Sequence, residues 1–205
     1  MRKNERITTL FLDIGGVLLT DGWNLDFRSR AAEAFDLDPA ELENLHQQAF
    51  DTFELGKLTL DDYLGRVVFH RPRDFTLEQF KKFMFAQSKP YPQMLALVGQ
   101  LKAKYGLRIF VVSNEGRELN EHRIRAFKLA GLVDAFVSSC YVHLRKPDPD
   151  IFRLALDLAQ APAKQVVYIE NTVMFVRVAE GLRIPSILHK DFSSTQAELA
   201  LFGLA

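Results

Sequence analysis

The 205-residue sequence is short of cysteine, has one tryptophan, and carries no excess charge of either sign. A lone Cys140 can close no internal disulfide and build no multi-cysteine metal site, and it suits a reducing cytoplasm. With 26 basic and 26 acidic residues the formal net charge is zero, which argues against a nucleic-acid footprint and a polybasic membrane patch. Long apolar runs are missing too. The stretch behind the charged start Met1–Arg6 breaks at Asp13, too early for a secretory signal, and no segment nears a transmembrane length. These absences lead us to expect a cytoplasmic protein without membrane or nucleic-acid partners. The five histidines show no metal-ligand spacing, and no repeat or Gly/Ser linker appears. At 48% hydrophobic, the chain can bury one sizeable core with a small accessory domain.

Two textures alternate along it. From about Leu25 to Lys89 the apolar residues follow helical spacing, as in Leu42, Leu45, His46 and Ala49, or Phe80, Phe83 and Met84. Asp38-Pro39, Thr59-Leu60-Asp61-Asp62 and Thr76-Leu77-Glu78-Gln79 are helix starts. From Pro90 on, helices alternate with short apolar strands at Leu107–Val112, Ala135–Ser139, Gln165–Ile169 and Ser186–Leu188. With a first strand over Ile7–Asp13, this predicts a doubly wound parallel α/β core, Rossmann-like, with right-handed crossovers. The helical stretch is too long for an ordinary connection. It predicts a helical cap over residues 21–89, and a core built from 1–20 and 90–205.

The ends of the predicted strands carry the chemistry. They read Asp13-Ile14-Gly15-Gly16, Ser113-Asn114, Arg145-Lys146-Pro147-Asp148-Pro149 and Glu170-Asn171. In a parallel sheet these ends share one rim, the usual place for a ligand. Each pattern alone is ordinary turn, cap or surface chemistry.

In this order, with a helical insertion after the first, the four resemble the motifs of the haloacid dehalogenase-like hydrolase superfamily, in its helical-cap, phosphatase-type branch. Lys146-Pro147-Asp148-Pro149-Asp150-Ile151-Phe152 matches the third motif most closely. The resemblance implies a magnesium-dependent phosphatase acting on a small phosphorylated metabolite. Asp13 would be the nucleophile forming an aspartyl-phosphate, and Ser113 and Lys146 would stabilise the transferring group. Gly16 and Asn114 would help bind phosphate. Mg²⁺ would rest on Asp13, the Gly15 carbonyl, Glu170 and Asn171.

Two departures stand out. Gly15 replaces the family's second Asp, which protonates the leaving group, a contribution of about 10²–10⁴-fold in rate. Asn171 replaces an acid and thins the metal site. Both leave open two alternatives: a metal-independent 2-haloacid dehalogenase, for which the resemblance implies a cap arginine (Arg28, Arg30 or Arg66), and a catalytically impaired binding protein. Neither the substrate nor the oligomeric state is legible.

Overall fold

The computed structural model describes residues 6–205; the first five residues, assigned above to the core, lie outside them. Five strands form one parallel sheet in the order β3-β2-β1-β4-β5. They are β1 (Thr9–Leu12), β2 (Arg108–Ser113), β3 (Ala135–Ser138), β4 (Val166–Glu170) and β5 (Ser186–Leu188). β1 lies at the centre, pairing Leu12 with Val111 on one side and with Ile169 on the other. The chain builds outward from β1 to β3, then crosses back to place β4 on the opposite side. This reversal opens a crevice between the carboxyl ends of β1 and β4.

The alternation along β1 explains the two layers. Leu10 and Leu12 point into one apolar cluster, with Leu97, Val98 and Leu101 of α5 (Pro92–Tyr105). Phe11 points into the other, with Ile151, Phe152 and Ala155 of α8 (Asp150–Ala159). Every residue of β1 and β4 is buried, as central parallel strands require. Beyond these, α6 (Arg117–Ala126), the single turn α7 (Ser139–Val142), α9 (Val173–Gly181) and α10 (Phe192–Leu201) complete the layers.

Between β1 and α5 come α1 (Leu25–Ala34), α2 (Pro39–Glu54), α3 (Leu60–Val67) and α4 (Leu77–Ala86). Their starts follow from local chemistry. Asp38 accepts from the amides of Ala40 and Glu41, and Thr59 and Thr76 each form a complete capping box. The four helices enclose their own core around Phe53, Tyr63, Leu64, Phe80 and Met84. The chain crosses between the two bodies twice, side by side. Thr20 N donates to the Lys89 carbonyl at 2.8 Å, and Lys89 N donates to Thr20 Oγ1 at 3.0 Å. The fully buried Arg123 of α6 ties both crossings down, donating to the Thr20 carbonyl, to Ser88 Oγ at 3.1 Å and to Glu115.

Candidate active site

The strand order decides which side chains meet. Asp13 follows the central strand, and its backbone amide still donates to the Ile169 carbonyl at 3.1 Å. Across the crevice stands Lys146, 1% exposed, reaching back from the loop before α8. Its Nζ lies 3.0 Å from Asp13 Oδ1, 2.5 Å from Glu170 Oε2 and 3.1 Å from the Tyr168 hydroxyl. The lysine is held from its backbone: its amide donates to Asn114 Oδ1 at 2.8 Å, and its carbonyl accepts from Asn114 Nδ2 at 2.9 Å. Asn114 thereby locks the end of β2 to the lysine loop.

One ammonium facing two carboxylates in a dry site leaves an excess negative charge. Burial is the largest influence on Asp13 and raises its pKa from 3.8 to about 7, with Glu170 pushing the same way and Lys146 and Ser113 opposing. Burial also pulls Lys146 down, but the Asp13 and Glu170 charges outweigh it and hold the ammonium above its ordinary value. The Tyr168 phenol is driven well up, by burial and then by Glu170 and Asp13. It stays a donor, bonded to Glu170.

Asp13 and Lys146 open onto a cavity of about 280 Å³. Gly15, Ser113, Asn114 and Asn171 border its floor, and Trp23, Phe50 and Phe53 of the helical body border its roof. The roof is fastened to the core beside the site. Arg145 bonds to Asp51 and to Glu54 of α2, His143 Nδ1 pairs with the Leu55 carbonyl at 2.7 Å, and Gly116 lies where a Cβ would sit 2.0 Å from the Phe53 ring. Arg145, the neighbour of Lys146 in the sequence, is thus a link between the two bodies.

A family model for haloacid dehalogenase-like hydrolases matches residues 7–179, most of the chain. This protein is a haloacid dehalogenase-like hydrolase. Among curated relatives, bifunctional epoxide hydrolase 2 of Rattus norvegicus is 29% identical over 133 residues, 62% of this chain. The match covers 24% of that relative, so the chain spans about a quarter of its length. Among solved structures, the HAD family enzyme bt-2542 of Bacteroides thetaiotaomicron superposes with a TM-score of 0.74 at 21% identity, covering 97% of this chain and 99% of that one. The same enzyme has been solved in complex with magnesium and inorganic phosphate. L-2-haloacid dehalogenase of Xanthobacter autotrophicus, with chloropropionic acid covalently bound, superposes with a TM-score of 0.63 at 13% identity, covering 97% and 84%. The two structural likenesses speak for the fold.

Against the motif residues of this hydrolase family, the structure gathers Asp13, Ser113, Asn114, Lys146 and Asn171 around one cavity. Gly16 takes a left-handed backbone, φ +73°, and turns the chain away beneath Asn171. Glu170 is placed differently. It is fully buried, with Oε2 occupied by Lys146 and Tyr168 and Oε1 accepting from the Thr172 amide at 2.9 Å. Its carboxylate orients the lysine and does not line the cavity. Magnesium prefers oxygen donors that include carboxylates free to face it. Of the four expected donors only Asp13 brings a charge to the cavity, shared with Lys146, and Asn171 brings none. Among the described residues no three acidic, histidine or cysteine side chains group into a metal cluster. Held so, Glu170 would reach a cation in the cavity only by leaving Lys146 and Tyr168, whereas Asp13, Gly15 and Asn171 border that space.

Among the cavity residues to which sequence reasoning gave no role are Asp21, His46 and Glu115, whereas Arg28, a candidate cap arginine there, does border the cavity. Arg28 is buried and committed to Glu43, with Nε 2.7 Å from Oε2, and to the Trp23 carbonyl. His46 is neutral, pulled to about 4 chiefly by burial and then by Arg28, and pairs with the Tyr63 hydroxyl at 2.7 Å. Glu115 is raised by burial although Arg123 opposes this. A buried polar residue inside an apolar helical face, as at His46, was the signal available.

Proposed function

We propose that this hydrolase transfers the phosphoryl group of a small phosphate monoester to Asp13 and then releases it to water, with residues 21–89 acting as a cap. The observation that carries the reading is the Lys146 ammonium set 3.0 Å from Asp13 and anchored from behind by Glu170 and Tyr168. A fixed cation beside a buried nucleophile stabilises charge that builds on the phosphoryl oxygens, and it needs no reorganisation as the reaction proceeds. The Ser113 hydroxyl borders the same space and is suited to donate to those oxygens. Lys146 supplies positive charge at the nucleophile itself, while the other cations bordering the cavity, Arg28 and Arg145, are paired with Glu43 and with Asp51 and Glu54. The covering helices exclude water from the reacting centre, and the aromatic roof receives the non-phosphate part of the substrate. The cavity volume suits a small metabolite.

The dehalogenase alternative calls for a cap arginine free to meet a substrate carboxylate. Of Arg28, Arg30 and Arg66, only Arg28 borders this cavity, and its guanidinium is already paired with Glu43. The test is a screen of phosphate monoesters with and without Mg²⁺, using Asp13→Asn as the blank. Phosphate release by the wild type alone is expected. Equal turnover by the variant, or halide release from a 2-haloacid with no phosphate release from any ester, overturns the reading.

A further inference from the structure

Gly15 deprives the proposed reaction of a carboxylate, yet the space in front of it is not without one. A Cβ built on Gly15 would lie 3.5 Å from Asp21 Cα and 3.7 Å from Asp21 Oδ1. A side chain eight positions from Asp13 thus presents its carboxylate where a residue at position 15 would have presented its own. Asp21 borders the same cavity as Asp13, Ser113 and Lys146. Both its oxygens are held: Oδ2 accepts from Asn24 Nδ2 at 3.1 Å, and Oδ1 accepts from Asn171 Nδ2 at 3.3 Å. Asn171, which would offer a cation an oxygen but no charge, is well suited to donate an N–H to this carboxylate. The backbone just before Asp21 is equally fixed, since Thr20 is bonded to Lys89 and to the buried Arg123. The two departures from the family pattern, Gly15 and Asn171, are therefore neighbours of one and the same carboxylate.

We infer that Asp21 is the proton-transfer residue of this hydrolase, an inference that rests on the phosphoryl-transfer reading above. In the first step an Asp13 oxygen bonds to phosphorus, the bond from phosphorus to the leaving oxygen breaks, and the Asp21 carboxyl gives its proton to that oxygen. In the second, water attacks the aspartyl-phosphate and gives a proton to the Asp21 carboxylate. The bond from Asp13 to phosphorus breaks, and inorganic phosphate leaves.

The experiment compares the wild type, Asp21→Asn and the double variant Gly15→Asp/Asp21→Asn on β-glycerol phosphate and p-nitrophenyl phosphate. The alkoxide of the first needs a proton to leave, whereas p-nitrophenolate does not. In Asp21→Asn, turnover of β-glycerol phosphate should fall by about 10²–10⁴-fold. With p-nitrophenyl phosphate the same variant should release one p-nitrophenolate per protein in a burst and then stall, because only the second step lacks its base. The burst also reports a folded, competent Asp13. Position 15 has room for a Cβ at ordinary contact distance, so Gly15→Asp should restore turnover in the double variant. Wild-type rates in Asp21→Asn, or loss of both substrates with no burst and no rescue, overturn the inference and leave the phosphatase reading standing. A wild type that turns over neither ester, nor any other in the screen, removes that reading and this inference with it.

Discussion

Replacing Lys146 with methionine isolates the central electrostatic arrangement. The substitution keeps most of the stem's volume and removes the one cation shared by Asp13, Glu170 and Tyr168. Deleting one partner of a buried ion pair destabilises a protein by about 3–5 kcal/mol, because the other charge stays buried without compensation. Lys146 is 1% exposed, so solvent screening offers little discount. The penalty should depend on pH in a definite direction. Asp13 has a folded pKa of about 7 against 3.8 for the ordinary group, so the folded state holds the extra proton between those values. Stability tied to this group is full below pH 3.8 and is lost as pH rises towards about 7. Lysine lowers the Asp13 value, so its removal extends the loss to higher pH. The difference between Lys146→Met and wild type should therefore be larger at about pH 8.5 than at about pH 5.5. Urea unfolding of both proteins at the two pH values measures it. A difference below about 1 kcal/mol at the higher pH, or one that grows on acidification, would refute the argument that a desolvated charge imbalance governs this site.

Two further outcomes follow from the same geometry. Because the nucleophile must be ionised, kcat/KM for p-nitrophenyl phosphate, whose leaving group needs no proton, should rise with pH through an apparent value near 7 set by Asp13, and a pH–rate profile flat from pH 5 to 8 would contradict its burial-raised pKa. Gly16→Ala should destabilise the chain by about 1–3 kcal/mol, since φ is +73° and a Cβ would lie 1.9 Å from Asn171 Nδ2; a thermal melt checks it, and an unchanged Tm would dismiss the strain.

Much of this arrangement could be read from the residues, and the misses have physical causes. The β1 and β4 strands declared themselves as short, mostly apolar runs because both of their faces are covered. The capping boxes at Thr59 and Thr76 are local chemistry and were visible as such. α10 escaped because Phe192–Leu201 has almost no apolar stripe, with only Thr195 and Leu199 buried. Asp13, Ser113 and Lys146 could be placed at one rim because strand order alone brings strand ends together. Asp21 could not, since its position depends on the three-dimensional path of a turn and on amides from residues 24 and 171. Glu170 was expected as a cation donor from its residue type; its bonds to Lys146 and the Tyr168 hydroxyl depend on rotamers that a sequence does not record.

The paired crossings at Thr20 and Lys89 also set the mechanics of the molecule. The helical body is held there and again at its far edge, where Arg145 bonds to Asp51 and Glu54 and His143 to the Leu55 carbonyl. Asp21 follows directly on the first crossing, so the bonds that join the two bodies also fix the backbone that carries this carboxylate. Any parting of the roof from the core has to break the Arg145 and His143 bonds, whereas those at Thr20 and Lys89 can stay intact and keep the carboxylate beside Gly15 aligned.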